Sequence, residues 1–118
     1  MTIKRIEPGK RMSEAVIHGN TVYLAGQVAD DYNAGIEEQT RQVLAAIETA
    51  LAKAGTDKTH LLSMQVCLST IADFAAMNSV YDAWVDQTNP PTRATIEARL
   101  ADPRLKVEMI AVAALPGS

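Results

Sequence analysis

Two ionisable side chains stand inside the apolar segments that close the chain, where a plain core strand would carry neither. Arg93 lies in the run 92–100, and Glu108 lies in the run 105–115, fifteen positions further on. A guanidinium can hold a carboxylate through two parallel hydrogen bonds, and a half-buried carboxylate can act as a general base. The same residue types also occur solvated or in a plain ion pair, because ion-pair networks imitate active sites. Both interpretations have to be weighed.

The surroundings of Glu108 predict a second copy of the chain. Residues 105–115 are apolar on both faces of a strand beyond Glu108, yet helices on one side of a sheet cover only one face. In so short a chain, another subunit is the simplest source of the second layer. We therefore expect a homo-oligomer that packs sheet against sheet. A carboxylate beside that interface needs a partner, and Arg93 is the natural candidate.

The sequence leaves open how Arg93 and Glu108 could meet. Alternation along 92–100 separates Arg93 from the apolar side chains, which predicts that it lies on the open face of an antiparallel pair. A simple hairpin turning at residues 102–103 would set Glu108 opposite Glu97 and Arg93 opposite Val112. The two would then be apart within one subunit and could meet across subunits.

The elements that position these residues alternate between strands and helices. Apolar residues at helical spacing predict a first helix from Ile36, ending where Gly55 suits the left-handed C-terminal position. A second helix is predicted from its N-cap Thr70 to near Asn89, because two prolines follow. Period-two alternation and the turn signal Gly19-Asn20 predict strands at residues 2–6, 14–18, 21–27, 62–68, 92–100 and 105–115. This order indicates an α+β fold with both helices on one face of a mixed sheet.

Composition narrows the classes of function. With 118 residues and 47% hydrophobic content, the chain suits one domain spanning residues 1–118. A net charge of −3 without a basic run argues against nucleic acid as a partner. No apolar stretch approaches the roughly 20 residues of a membrane span, so we expect no membrane partner and a cytoplasmic location. The single cysteine, Cys67, and the distant His18 and His60 offer no metal-site spacing, and we expect no structural metal.

The segment PTRATIEARLADPRLKVEM, residues 91–109, joins a Pro-x-Arg motif at Pro91-Thr92-Arg93 to the aliphatic-Glu-aliphatic triplet Val107-Glu108-Met109. It resembles the signature of the RidA/YjgF family of reactive-intermediate deaminases. TVYLAGQVA, EEQTRQVLAAIETALAKAG and FAAMNSVYDAW are similar to further strand and helix segments of that family. The likeness therefore covers nearly the whole chain. Within the family, the sequence is most similar to a YoaB-like branch.

The resemblance implies a chorismate-mutase-like α+β fold, with a mixed six-stranded sheet, two helices on one face, and ligand clefts between the subunits of a homotrimer. It also implies hydrolysis of reactive 2-enamine and 2-imino acids, such as 2-aminoacrylate, to 2-oxo acids and ammonia, with no metal or organic cofactor. Arg93 would hold the substrate carboxylate, and Glu108 would orient or deprotonate the attacking water. The backbone amide of Thr95 would help bind that carboxylate, Gly26 would allow close approach of the ligand, and Met12 occupies a position in the cleft.

Three positions depart from the pattern of the best-studied deaminases. Thr95 stands where they have a cysteine, Met12 where they have a cleft tyrosine, and Ala25 where a serine is common. These changes would leave carboxylate binding intact and would alter substrate range and rate. Two other functions therefore stay open, because fold alone does not decide function: a module that binds small carboxylates without turnover, and a protein-interaction trimer whose cleft is incidental.

Overall fold

In the described part of the chain, seven strands form one mixed sheet, and two α-helices cover one of its faces. The structure is a computed structural model that describes residues 2–117. The strands are β1 Ile3–Ile6, β2 Ala15–His18, β3 Thr21–Leu24, β4 Gln27–Val28, β5 Leu61–Leu68, β6 Thr92–Glu97 and β7 Val107–Ala114, and the helices are α1 Ile36–Ala54 and α2 Phe74–Trp84. The predicted α+β architecture is confirmed.

The sheet is six strand positions wide. Its order is β1-β2-β3-β7-β5-β6, and β4 pairs with β7 on the same side as β3. The strand predicted at 21–27 is thus present as β3 and β4, with a break at Ala25-Gly26. The first hairpin turns at Gly19-Asn20 as predicted, and Gly19 takes a positive φ of 63° that suits a residue without a Cβ.

The first helix follows its sequence signals closely. α1 starts at Ile36, carries Glu37 and Glu38 in its first turn and Lys53 in its last, and so complements the helix dipole at both ends. Gly55 closes it in the left-handed conformation at φ 88°, as predicted.

The second helix is shorter than predicted. Thr70 caps a 3₁₀ turn over Ile71–Asp73, and the α-helix begins only at Phe74. It ends at Trp84, five residues before the predicted Asn89, because the chain beyond it is held in turns by side chains that compete with helix. One such contact is the Thr88 N–H donating to Asp86 Oδ1 over 3.1 Å.

The two closing strands do not form a hairpin, so the simple antiparallel pairing is wrong. β5 lies between them, parallel to β6 and antiparallel to β7. The strand predicted at 92–100 ends at Glu97, and residues 98–106 cross the end of β5 instead of turning back. Ser69 N–H donates to Lys106 O over 3.0 Å, and Leu105, 2% exposed, anchors the crossing segment in the interior.

The core lies between the helices and the inner face of the sheet. The inner side chains of β7, including Val107, Met109 and Ala113, are fully buried there. The outer side chains of β7 stay half-buried, and Tyr23 and Ile96 are exposed on the same open face. Within residues 2–117, neither helix combines the length and apolar character needed to cross a bilayer.

Candidate active site

Arg93 lies on the face of the sheet that α2 covers, and not on the open face that strand alternation predicted. Its Nη1 donates to Asn78 Oδ1 over 2.7 Å. Its Cζ lies 4.8 Å from the ring centroid of Tyr81 and 5.8 Å from that of Phe74. The apolar Ile96 takes the open face instead. β6 is the edge strand, and aromatic side chains of α2 provide the cation with favourable contacts in place of an apolar core.

No acidic side chain among residues 2–117 pairs with the charge of Arg93. Among residues 2–117 it forms no ion pair, and no group accepts a hydrogen bond from Nε or Nη2. Burial raises the pKa of Tyr81, an effect that the Arg93 charge partly opposes, so the phenol stays neutral at physiological pH. A half-buried guanidinium with two adjacent free donors is suited to a carboxylate ligand.

The main chain of β6 adds a further donor at the same edge. Ala98 N–H donates to Leu68 O over 2.9 Å, which sets the alternation of the parallel ladder. The main-chain groups of Arg93 and Thr95 therefore point away from β5, toward the free edge of the sheet. The Thr95 hydroxyl is buried and has no hydrogen-bond partner among residues 2–117. Thr95 N–H is thus available to a ligand beside the guanidinium.

Glu108 lies on the opposite face of the sheet, beside Gly26. A Cβ placed on Gly26 would overlap Glu108 Oε2 and would lie 3.2 Å from its Cδ. Gly26 therefore makes room for the carboxylate of Glu108, a contact that the sequence did not predict. Within residues 2–117, no donor forms a hydrogen bond to that carboxylate, so both oxygens can accept from outside the chain.

One chain does not bring Arg93 and Glu108 together. Arg93 is in register with Met64 of β5, Met64 is in register with Ala111 of β7, and Glu108 lies three residues from Ala111. The two Cα atoms are therefore separated by roughly 10 Å across the sheet and roughly 10 Å along it, at the usual strand spacings. Their side chains also leave the sheet on opposite faces. A site that uses both needs a second subunit.

The remaining predicted residues fall near Glu108 or on the surface. Met12 lies in the loop between β1 and β2 and is 65% exposed. Cys67 pairs with Glu108 across β5 and β7, on the face away from the core. Burial, and then the nearby Glu108 charge, raise the pKa of its thiol, which disfavours a nucleophilic thiolate.

The open face also carries a shallow groove between β5, β6 and β7. Its volume is about 370 Å³, and its lining includes Gln65, Ala94, Ile110 and Val112. A second cavity of about 430 Å³ lies between α1 and α2 and contains none of the predicted site residues. The groove is where the sheet presents its exposed apolar surface, next to the edge strand that carries Arg93.

Sequence reasoning missed the partners of Arg93. Sequence alone assigned no role in the site to Asn78, or to Phe74 and Tyr81, which form part of an apolar stripe on α2. One signal could have found Asn78: it lies four residues after Phe74 and three before Tyr81, so it is a polar side chain on the same side of the helix as that stripe.

Comparison with known proteins gives the family. The family model described as Endoribonuclease L-PSP matches residues 2–115. The RutC family protein YoaB of Escherichia coli strain K12 is 44% identical over 115 residues, covering 98% of this chain and all of the relative. A 2-iminobutanoate/2-iminopropanoate deaminase of Rattus norvegicus is 32% identical over 108 residues, covering 85% of this chain and 78% of the relative.

A solved structure agrees with the sequence relatives. The crystal structure of a member of the YjgF protein family from Neisseria meningitidis has a TM-score of 0.96 at 39% identity, covering 100% of this chain and 98% of that one. Matches of sequence and fold over nearly the full length show that the chain belongs to the RidA/YjgF family, as its closing segment indicated.

Proposed function

We propose that the protein hydrolyses reactive 2-enamine and 2-imino acids, such as 2-aminoacrylate, to 2-oxo acids and ammonia, in clefts between the subunits of a homotrimer. The observation that carries this proposal is the environment of Arg93, a half-buried guanidinium with free donors and no carboxylate partner among residues 2–117. Membership of a family that includes a protein named as an imine deaminase supports the same reaction class.

In this proposal Arg93 and the N–H of Thr95 bind the substrate carboxylate, which fixes the neighbouring C2 atom. The enamine takes up a proton from solvent at C3 to become the iminium form of the imine. Glu108 of another subunit accepts a proton from water as the oxygen bonds to C2, and that proton then passes to nitrogen. The C2–N bond breaks, ammonia leaves, and the hydroxyl on C2 releases its proton to solvent as the carbonyl of the 2-oxo acid forms. Gly26 gives Glu108 its position, and Met12 lines the cleft.

A second candidate function is a binding module for small carboxylates that does not turn them over. The environment of Arg93 supports this function, because a single chain already presents the cation and its free donors without any contribution from Glu108. The two functions share the ligand and differ in whether water is added to it.

The test measures the loss of imine released by an amino-acid oxidase or dehydratase, with semicarbazide as the trap for the remaining imine. The wild type should accelerate this loss over buffer, Arg93→Ala should abolish the acceleration, and the matched control Arg99→Ala, an exposed arginine after the same strand, should retain it. Arg93→Lys should lose about 100-fold in kcat/KM, because an ammonium does not match the paired donors.

A wild-type rate equal to buffer would overturn the hydrolase. Stabilisation of such an inactive protein by 2-oxo acids would favour the binding module, because a ligand that binds only the folded state raises apparent stability. If the protein showed neither catalysis nor stabilisation, the protein-interaction trimer would be the remaining function.

A further inference from the structure

Within residues 2–117, the side chains that hydrogen-bond to the guanidinium of Arg93 or place a ring against it are neutral. Asn78 accepts its hydrogen bond through an amide oxygen, and the rings of Tyr81 and Phe74 lie within 6 Å of its Cζ. Phe74 is 41% exposed, so the side of the guanidinium nearer that ring opens toward solvent, whereas Tyr81 is buried. The arginine is therefore held in place without losing its charge.

We propose that Asn78 is the positioning residue of the carboxylate site, and that its neutrality is what makes the site bind acids. The proposal rests on the proposed function, because it assigns a role in binding the same substrate carboxylate. Asn78 accepts a hydrogen bond from Nη1 of the Arg93 guanidinium and leaves Nε and Nη2 free to bind the ligand. It acts through Arg93 and does not need to contact the substrate.

The choice of amide over carboxylate has a physical consequence. An aspartate has nearly the same shape and would also accept from Nη1, yet its charge would pair with the guanidinium at close range. A charge-assisted bond of that kind is roughly twice as strong as a neutral one, so it would compete directly with the carboxylate of the ligand. An amide holds the geometry without this competition.

The chain offers a clean test in Asn78→Asp, with Asn78→Ala and a control. Asn78→Asp keeps shape and acceptor and removes only neutrality. Asn78→Ala removes the acceptor and improves helix propensity, so loss of function there would not come from a weakened α2. The control is Asn33→Asp, which adds the same charge at an exposed loop position.

The first measurement is the Kd of 2-oxobutanoate, a stable product-like acid, together with KM and kcat for imine hydrolysis. Asn78→Asp should raise Kd and KM at least tenfold with kcat changed less than threefold, because only uniform binding is lost. Asn78→Ala should lower kcat as well, since the guanidinium is no longer oriented. Asn33→Asp should match the wild type, and the thermal unfolding temperature of Asn78→Asp should be no lower than that of the wild type.

The second measurement needs no ligand. In ¹⁵N-labelled protein, the Nη signals of Arg93, identified by their absence in Arg93→Ala, should be separate in the wild type and averaged by rotation in Asn78→Ala. Wild-type affinity in Asn78→Asp, or unchanged Nη signals in Asn78→Ala, would overturn the inference while leaving the hydrolase intact. Slow Nη rotation in a wild type that neither binds nor hydrolyses would show that the proposed function had failed, and it would overturn the role of Asn78 in ligand binding while leaving its contact with Arg93.

Discussion

Glu108 has its position set by a neighbour that lacks a side chain. Its carboxylate occupies the space where a Cβ on Gly26 would stand. Gly26 does not adopt a positive φ, so its value here is room and not backbone freedom. The absence of a side chain at Gly26 therefore lets the Glu108 carboxylate pack against the main chain between β3 and β4.

We predict that Gly26→Ala lowers kcat for imine hydrolysis at least tenfold and changes stability little. The overlapping atom is the end of a flexible side chain, so rotation of Glu108 relieves the clash for about 1 kcal/mol or less, but moves the proposed base away from its water. Steady-state kinetics and urea unfolding check both parts. Gly35→Ala is the matched control, because a Cβ there meets no atom within 4 Å. Equal kinetics in the two variants would contradict the role of Gly26.

The residue types of the site could be predicted, and their surroundings could not. Arg93 and Glu108 stand out because charges are rare in apolar strands and because their motif resembles a known family. That Arg93 faces α2 could not be read from alternation, since alternation separates two faces without saying which one a helix covers. Its partner Asn78 lies fifteen residues away in the sequence, and nothing local to β6 indicates that α2 packs against it.

At the scale of elements, a buried glutamine joins the start of α1 to the chain before β7. Gln39 is fully buried, and its Nε2 donates to the main-chain oxygens of Ala34 and Arg104 over 3.0 and 3.1 Å. Its Oε1 accepts from Lys106 N–H over 2.9 Å. One side chain therefore ties the crossing segment after β6 to α1, next to the start of β7.

Gln39→Leu should lower the free energy of unfolding by about 3 kcal/mol, because it keeps the volume and leaves several buried main-chain groups unpaired. Urea unfolding at a fixed protein concentration measures the change. Gln42→Leu is the control, because Gln42 is a half-buried glutamine of the same helix that hydrogen-bonds only to Asp31 and Glu38 near the surface, and it should cost less than about 1 kcal/mol. If both variants lost the same stability, the hydrogen bonds of Gln39 would contribute no more than those of a surface side chain.

The helices were more predictable than the sheet for a physical reason. The limits of α1 follow from local signals at Ile36 and Gly55, which act within a few residues. The pairing of β6 depends on β5, some thirty residues earlier, and a parallel neighbour leaves no local turn signal. The hairpin expected between 92–100 and 105–115 failed for that reason, although both strands exist.

At the scale of the whole molecule, the two proposed catalytic side chains stand on opposite faces of one sheet. The open face carries half-buried Ile110 and Val112 and exposed Tyr23, which is the apolar surface that a second subunit could cover. The proposed reaction requires a subunit packed there to place its own edge strand near the Glu108 of its neighbour. The geometry of one chain therefore makes assembly a condition of the proposed reaction.

We predict that Arg93→Ala and Glu108→Gln chains, each inactive alone, regain activity when they are refolded together. In a mixed trimer, a cleft between an Arg93→Ala chain, which supplies Glu108, and a Glu108→Gln chain, which supplies Arg93, has both groups intact. Light scattering should give the mass of three chains for the mixture, and imine hydrolysis should appear only after subunit exchange.

Val112→Glu provides the control for assembly. A charge placed on the open face would be buried without a partner on association, at a cost of several kcal/mol, so the variant should be a folded monomer. Adding this change to both inactive chains should prevent recovery of activity, whereas Ala45→Glu, on the exposed side of α1, should permit it. Recovery in the monomeric variants, or no recovery in a mixture that does form trimers, would show that Arg93 and Glu108 do not act on one substrate from different subunits.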